Sequence, residues 1–449
     1  MHRALVFVIL LLVACPSSAG EEPPPDPARG DSYDGLRHPP TWRDDLLAVP
    51  RIVLAPVRLL FEGLAMPMHR VLDWDETYRV VHHIAAAVTS RDGLIGVRPA
   101  FQYSISFAPL IGLRFFDQKL LGRGTDFEAT AMTGGIHVFY GELVARPTPP
   151  LRALEVTIRA TYNKRDDQIF AQIGYVGEDP NFLMFRSRYA IDAVDAGGRL
   201  TYAARPGLFL DVDTIFGVRR FGNGRTIGSD RPIEEVYCIR DVAGLCNPNT
   251  VDEVRVPGFV QGTQFFRGGV TLRADSRDNW YRPSSGALVE IGADWSHGLG
   301  GDQSQYVHGH AALSAVLDLW RRSRALVVRI EAHDLEPIGY APVPFSELIV
   351  LGGPDTFRGF RPGRFRNFSS LFAGLEYRWP IWMWMDATLF SEYGGVFGRG
   401  FEGFSVTRML PDVGGGVRLR SSESFFARAQ LAYGWGDGLQ AFFSVNTDF

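Results

Sequence analysis

The stretch SSLFAGLEYRW, residues 369–379, sets Leu371, Ala373, Leu375, Tyr377 and Trp379 against Phe372, Gly374, Glu376 and Arg378. Successive side chains of a strand point to opposite faces, so this alternation reads as a strand with one oily face and one face that carries charge. The same period returns further on. Leu439, Ala441, Phe443 and Val445 alternate with Gln440, Phe442, Ser444 and Asn446, and Phe425, Ala427, Ala429, Leu431, Tyr433 and Trp435 with Phe426, Arg428, Gln430, Ala432 and Gly434. Upstream, Phe266, Gly268, Val270 and Leu272 oppose Arg267, Gly269, Thr271 and Arg273, while Leu326, Val328, Ile330 and Ala332 oppose Arg329, Glu331 and His333.

A soluble sandwich also alternates, but its strands average about five or six residues. These runs reach about nine or more, the length a tilted strand needs to cross a bilayer, and their ends collect Trp, Tyr and Phe as interface girdles do. Turn signals divide residues 94–449 into strands expected at 97–106, 110–118, 125–133, 136–145, 152–164, 187–204, 207–221, 263–277, 285–296, 305–320, 324–335, 369–379, 384–397, 411–421, 424–435 and 438–449. The fold class is therefore all-β: a sixteen-stranded antiparallel transmembrane β-barrel with a short helical N-terminal segment. An even strand number lets the sheet close and leaves no unpaired edge in lipid. Short turns at 146–150, 205–207 and 421–423 are expected at the periplasmic end, and the long connections 165–186, 222–262 and 336–368 outside.

Composition is consistent with this. The chain has 449 residues, 21% charged and 12% aromatic, with a formal net charge of -4. That excludes a basic nucleic-acid footprint and a disordered composition. Arg3 followed by the apolar run Ala4 to Ala14 reads as a secretory signal within residues 1–20, too short to span a bilayer. Two processing readings stay open: cleavage after Ser17-Ser18-Ala19, or a lipoprotein box ending at Cys15. Residues 21–40 are rich in Pro and Asp and read as a disordered linker. Over 41–93, charged or polar Asp44, Arg51, Arg58, Glu62, His69 and Asp73 recur at intervals of seven and four, which places them on one face of an amphipathic helical segment interrupted at Pro50, Pro56 and Pro67. A second helix runs from Asp73 and Glu76 to Val88. The segment reads either as a packed helical hairpin or as helices that lie on the membrane or plug the lumen.

Cys238 and Cys246 stand in EEVYCIRDVAGLCNPN, a short polar loop of an exported chain, and read as a disulfide. No G-x-S-x-G elbow, H-E-x-x-H or phosphate loop is present, so no enzymatic activity and no cofactor are expected. His82, His83, His308 and His310 have no carboxylate or histidine at ligand spacing along the chain, and no metal site is expected. The inward arginines Arg267, Arg273, Arg329, Arg378, Arg418, Arg420 and Arg428 suit either anion passage or pairing with lumen carboxylates.

Three features together resemble the BamA/TamA superfamily of outer-membrane barrels, the bacterial surface antigen group. Gly352-Gly353-Pro354-Asp355-Thr356-Phe357-Arg358-Gly359-Phe360 is similar to that family's Arg-Gly-Phe loop motif, with Phe357 where Val or Ile is usual. Asp275-Ser276-Arg277-Asp278-Asn279, followed by Pro283 and Gly286, is similar to its turn between two central strands. Five strands then follow the loop, and the chain stops on Phe449. The resemblance covers residues 94–449 and implies that Arg358 reaches Glu376 and Glu392 on the next two strands, with Glu392 at a position where Asp is common. It further implies a bacterial outer-membrane protein that assists insertion or translocation of polypeptide or lipid, with outer-membrane lipid, an unfolded client and the barrel assembly machinery as partners. Residues 21–93 show no convincing strands of the family's periplasmic POTRA domains, so a barrel-only member is expected. The other reading is a passive pore, or a structural or binding barrel with a helical plug.

Overall fold

The structure, a computed structural model, describes residues 88–445 apart from position 91 and the segments 121–123, 149–152, 177–185, 248–249, 280–281, 321–323, 383–384 and 421–424. The signal, linker and nearly all of the helical segment over 41–93 lie outside the described residues, as do Cys15 and Phe449. Among the described residues no helix is long and apolar enough to cross a membrane.

Sixteen antiparallel strands form one closed barrel. In chain order they are β1 (Ile95–Ser104), β2 (Leu110–Leu120), β3 (Thr125–Thr133), β4 (Phe139–Arg146), β5 (Leu154–Phe170), β6 (Ser187–Arg205), β7 (Leu208–Asn223), β8 (Thr263–Asp275), β9 (Gly286–Gly298), β10 (Gln305–Trp320), β11 (Arg324–Pro337), β12 (Ser369–Trp382), β13 (Met385–Phe397), β14 (Leu410–Arg420), β15 (Phe425–Gly434) and β16 (Gly438–Val445). Each strand pairs with its neighbour in sequence, and β16 pairs back onto β1. The expected boundaries shift at several ends. Strand β4 starts at Phe139 rather than 136, because Gly134 to Val138 closes a tight turn through Gly134 N–H to the Val138 carbonyl, 2.9 Å. Strand β5 runs to Phe170 rather than 164, across a bulge between Arg165 and Gln168. Its extension is anchored at the loop end, where the Asp167 carboxylate accepts from Ala108 N–H and from Arg165.

Alternation sorts the two faces. Ile111, Leu113, Ile158, Val270, Leu375, Val413 and Leu431 are exposed on the outer wall, while Thr130, Glu376, Glu392, Gln430 and Ser444 are buried on the inner one. Such an outer band is matched to hydrocarbon, which cannot hydrogen-bond a polar group. Short turns gather at one end and the long connections at the other. In the turn after β8, the Asp278 carboxylate accepts from the backbone N–H of Ser284 and Ser285 and from the Ser284 hydroxyl. Gly286 closes this turn with φ +101°, where a Cβ would stand 2.3 Å from the Ser276 carbonyl oxygen, so only glycine fits there.

At the long-loop end a separate apolar cluster of Phe170, Tyr189, Ile233, Tyr237, Val251, Val256, Phe259 and Phe345 packs the outer loops together. Phe345 sits at its centre, with ring centroids 5.4 Å from Phe170, 5.3 Å from Tyr189 and 4.7 Å from Phe221. Cys238 and Cys246 form a disulfide in this region, with Cα atoms 5.4 Å apart.

Two outcomes are expected from this architecture. Leu375→Arg puts a charge on the lipid face near the middle of β12 and should destabilise the folded barrel by about 2–4 kcal/mol, measured by urea titration in liposomes; an unchanged midpoint would contradict the assignment of that face. Thiol labelling after denaturation without reductant should leave Cys238 and Cys246 unmodified, whereas two labelled thiols would contradict the bridge.

Candidate functional site: the inward loop and the seam

The connection 338–368 does not stay outside. Ile349–Leu351 pairs with Phe365–Asn367 as a short hairpin, and the segment between them descends into the lumen. Gly352 and Gly353 supply the turn at φ +118° and +120°, values that side-chain-bearing residues rarely adopt. The Gly353 N–H donates to the carbonyls of Phe357 and Phe360 at 3.2 and 3.0 Å. Leu351, Phe357, Phe360 and Phe365 then form a small core against Phe372, Val396 and Leu410 of the wall, with the Phe357 and Phe360 rings 4.3 Å apart.

This core presents Arg358 to the wall. Its Nη1 reaches Glu376 on β12 at 2.5 Å, and its Nε and Nη2 reach Glu392 on β13 at 2.7 Å each. The backbone N–H of Arg358 also donates to Glu392, at 2.7 Å. The guanidinium carbon lies 3.5 Å from the centroid of the Phe390 ring, a stacked cation–π contact. Burial disfavours the Arg358 charge, but Glu376 and Glu392 more than offset it and hold the group above its ordinary pKa. Glu376 also takes Arg378 at 2.5 Å and Arg418 at 3.2 Å. The longer Glu392 side chain thus makes both a side-chain and a main-chain contact with the loop.

Next to the arginine, Gly359 fits against the wall with no room to spare. A Cβ there would lie 2.4 Å from Asp412 Cβ and 2.8 Å from Gly434 N, and one on Gly434 would lie 2.2 Å from the Gly359 carbonyl. The Gly359 N–H donates to Asp412 on β14 at 2.6 Å. Behind Arg358, Phe390 has space because Gly414 faces it across the pair β13–β14, where a Cβ would stand 2.4 Å from the ring. Phe360, the third residue of the motif, packs on Phe365 at 4.9 Å.

The loop is also tied to the last hairpin. Asp437, in the turn between β15 and β16, accepts from Arg361 N–H at 2.9 Å and from Arg186 at 3.1 Å, with Arg364 3.7 Å away. Arg186 and Arg188 in turn share Asp230.

The family resemblance implies the grouping of Arg358 with Glu376 and Glu392, but neither it nor the residue pattern points to Asp412, Phe390 or Asp437. Asp412 is the third residue of β14, whose inner face also carries Gly414 and Gly416, the available signal. Most of the inward arginines are paired: Arg267 with Glu347 at 2.7 Å, Arg273 with Asp211 at 3.5 Å, Arg329 with Glu331 at 2.6 Å and Arg428 with Asp355 at 2.6 Å. The side chain of Arg420 is outside the described residues.

Closure of the barrel is the second element. Strands β1 and β16 pair over Phe101 to Ser104 and Phe442 to Val445, four cross-strand pairs among the described residues. The Ile105 N–H adds one bond to the Ala441 carbonyl, 2.9 Å, and the Phe101 and Phe443 rings meet at 5.5 Å.

Residues 261–447 match the Omp85 superfamily domain. BamA from Haemophilus ducreyi lacking POTRA domains 1-3 has a similar fold, with a TM-score of 0.55 at 13% identity over 78% of this chain and 70% of that one. CdiB from Acinetobacter baumannii gives 0.48 at 11% identity over 80% of this chain and 63% of its own. CdiB from Escherichia coli gives 0.47 at 11% identity, covering 78% and 62%. No curated protein matches the chain in sequence. Among the described residues no POTRA unit is present.

Removing the Arg358 charge takes from the buried Glu392 its arginine partner, while Glu376 keeps Arg378 and Arg418. Arg358→Ala should therefore destabilise the barrel by about 3–5 kcal/mol, the usual consequence of breaking a buried pair from one side, read as a lower temperature for loss of the fast-migrating folded band in detergent. Gly359→Val should give a similar loss without any change of charge, because its side chain meets Asp412 and the β15 backbone; wild-type thermal behaviour in both variants would show that the loop docking carries no stability.

Proposed function

We propose that this chain, an Omp85-superfamily barrel of the outer membrane, assists insertion or translocation of polypeptide or lipid at that membrane by opening between β1 and β16. The observation that carries the reading is the seam. Strands β1 and β16 pair although no connecting turn ties one to the other, unlike strands that are neighbours in sequence, so they can part without straining a link, and their edges then offer unpaired N–H and C=O groups to an incoming strand. The client in this reading is an unfolded outer-membrane chain or a lipid, the surrounding outer-membrane lipid takes part as the receiving phase, and the barrel assembly machinery acts during the protein's own biogenesis. The reading assigns no enzymatic step and no role to nucleic acid.

The inward loop supports this over a passive pore. Its aromatic core and the Arg358 contacts occupy the lumen, and Asp437 links the loop to the turn beside β16. A lumen filled in this way conducts poorly, while a loop braced against β12 to β15 keeps one half of the wall rigid as the other edge moves.

Two measurements test it. In liposomes containing the purified protein, a urea-unfolded client barrel should fold several times faster than in protein-free liposomes; equal rates, together with large steady conductance steps in planar bilayers, would favour the pore. Gln102→Cys with Ser444→Cys, a facing pair across the seam, should abolish the acceleration when oxidised and restore it on reduction, with the parent protein under the same reductant as control. Full activity in the locked state would overturn lateral opening.

A further inference from the structure

Away from the loop motif and the seam, the barrel wall gathers histidines that are scattered in the sequence. His308 and His310 lie two residues apart on β10 and face the lumen together. Cross-strand pairing places Asp294 of β9 opposite His308 and His333 of β11 opposite His310. The expectation that His308 and His310 have no ligand set around them is corrected here: their neighbours come from adjacent strands rather than from adjacent sequence.

We propose that Asp294, His308 and His310 bind a divalent first-row transition-metal cation of the zinc type, with His333 orienting His308. Ligand atoms of the three residues all lie within 4.8 Å of one another, and among the described residues no other group of three or more His, Cys, Asp or Glu side chains meets that spacing. His308 Nδ1 is 3.3 Å from the Asp294 carboxylate. Two atoms each about 2.0 Å from a tetrahedral zinc ion stand about 3.3 Å apart, so this separation already suits a shared cation. The opposite nitrogen, His308 Nε2, is 3.1 Å from His333 Nδ1. When Nδ1 ligates a metal, Nε2 keeps the proton and donates it to His333, which fixes the tautomer and the ring plane as outer partners of metal-bound histidines do.

The remaining ligand capacity points the same way. Asp294 Oδ2 is a buried oxygen without a hydrogen bond in the structure, and the contacts of His310 with described residues are ring stacking on His308 and His333 at 5.7 and 6.1 Å. Space for the His310 ring is provided by Gly292, where a Cβ would stand 2.4 Å from its Cε1. Arg267 is the nearest fixed positive charge, its Nε 3.9 Å from Asp294. It is held by Glu347 and by the Tyr306 hydroxyl at 2.7 Å each. Three protein ligands leave a zinc-type ion one open position. His308 and His333 border a lumen cavity of about 300 Å³ that also touches Glu331 and Glu347, which gives water or an exchanging ligand access.

The test uses the tag-free full-length protein in detergent, stripped with a chelator and titrated with Co²⁺ and then with Zn²⁺. One equivalent of Co²⁺ should give the intense visible absorption of a tetrahedral site with nitrogen and oxygen ligands, and Zn²⁺ should displace it. His310→Ala and Asp294→Asn should each weaken binding at least tenfold while the barrel keeps its heat-modifiable migration; His297→Ala, whose ring stacks on Trp295 outside the cluster, should bind as wild type. Binding unchanged in both cluster variants would overturn the site. Should those variants fail to fold, the wild type decides alone: X-ray absorption of the one-equivalent Zn²⁺ form should show two imidazoles and a carboxylate oxygen, and no saturable binding, or a ligand set without two imidazoles, would overturn it.

Discussion

Hydrocarbon offers no partner to a backbone N–H or C=O, and the rest of this structure depends on that. A sheet in such a solvent must close on itself, because each unpaired edge group left in lipid costs several kcal/mol. Closure by pairing β16 with β1 fixes the register of all sixteen strands at once and hence which residues share the lumen. It also makes one junction different from the others. Every other strand pair of the barrel joins neighbours in sequence, whereas the seam joins its first and last strands, which no turn connects.

Once the wall is closed, its inner face holds more charge than a narrow, partly filled interior can leave unpaired. Glu376 is buried among Arg358, Arg378 and Arg418, and Glu392 meets both the side chain and the backbone of Arg358. Such contacts are charge-assisted and each contributes roughly 1.5–3 kcal/mol, but their larger consequence is positional. A buried carboxylate without a cation is so unfavourable that the loop has one place to go. Gly359 against Gly434, and Phe390 over Gly414, then set how closely it can approach. The loop thereby joins strands β12 to β15 to the turn at Asp437.

The same closure also brings together side chains far from the inward loop's Arg358 contacts. Asp294, His308, His310 and His333 meet because β9, β10 and β11 are neighbours in register. Above them the aromatic cluster around Phe345 packs the outer loops over the lumen. The cavity beside His308 and His333 is also lined by Val350, Leu351 and Thr356 of the inward loop.

Much of this was legible along the chain. Strands such as 305–320 and 125–133 have the ends expected of them, since apolar alternation and turn residues are local signals; β5 ran past its expected end because its last turn is stabilised by Ala108 and Arg165 rather than by its own pattern. The facing of Glu376, Glu392 and the lumen arginines was likewise readable, for side-chain direction along a strand has a period of two imposed by covalent geometry. Which of those inward residues touch was not. Asp412 under Gly359, Phe390 under Arg358, and Asp294 beside His308 are brought together by hydrogen-bond register between separate strands and by a loop that folds inward. The sequence by itself therefore determined the wall and the direction of each side chain, while only the tertiary structure decided the partners, because interstrand pairing and close backbone approach are properties of the closed sheet and not of any single segment.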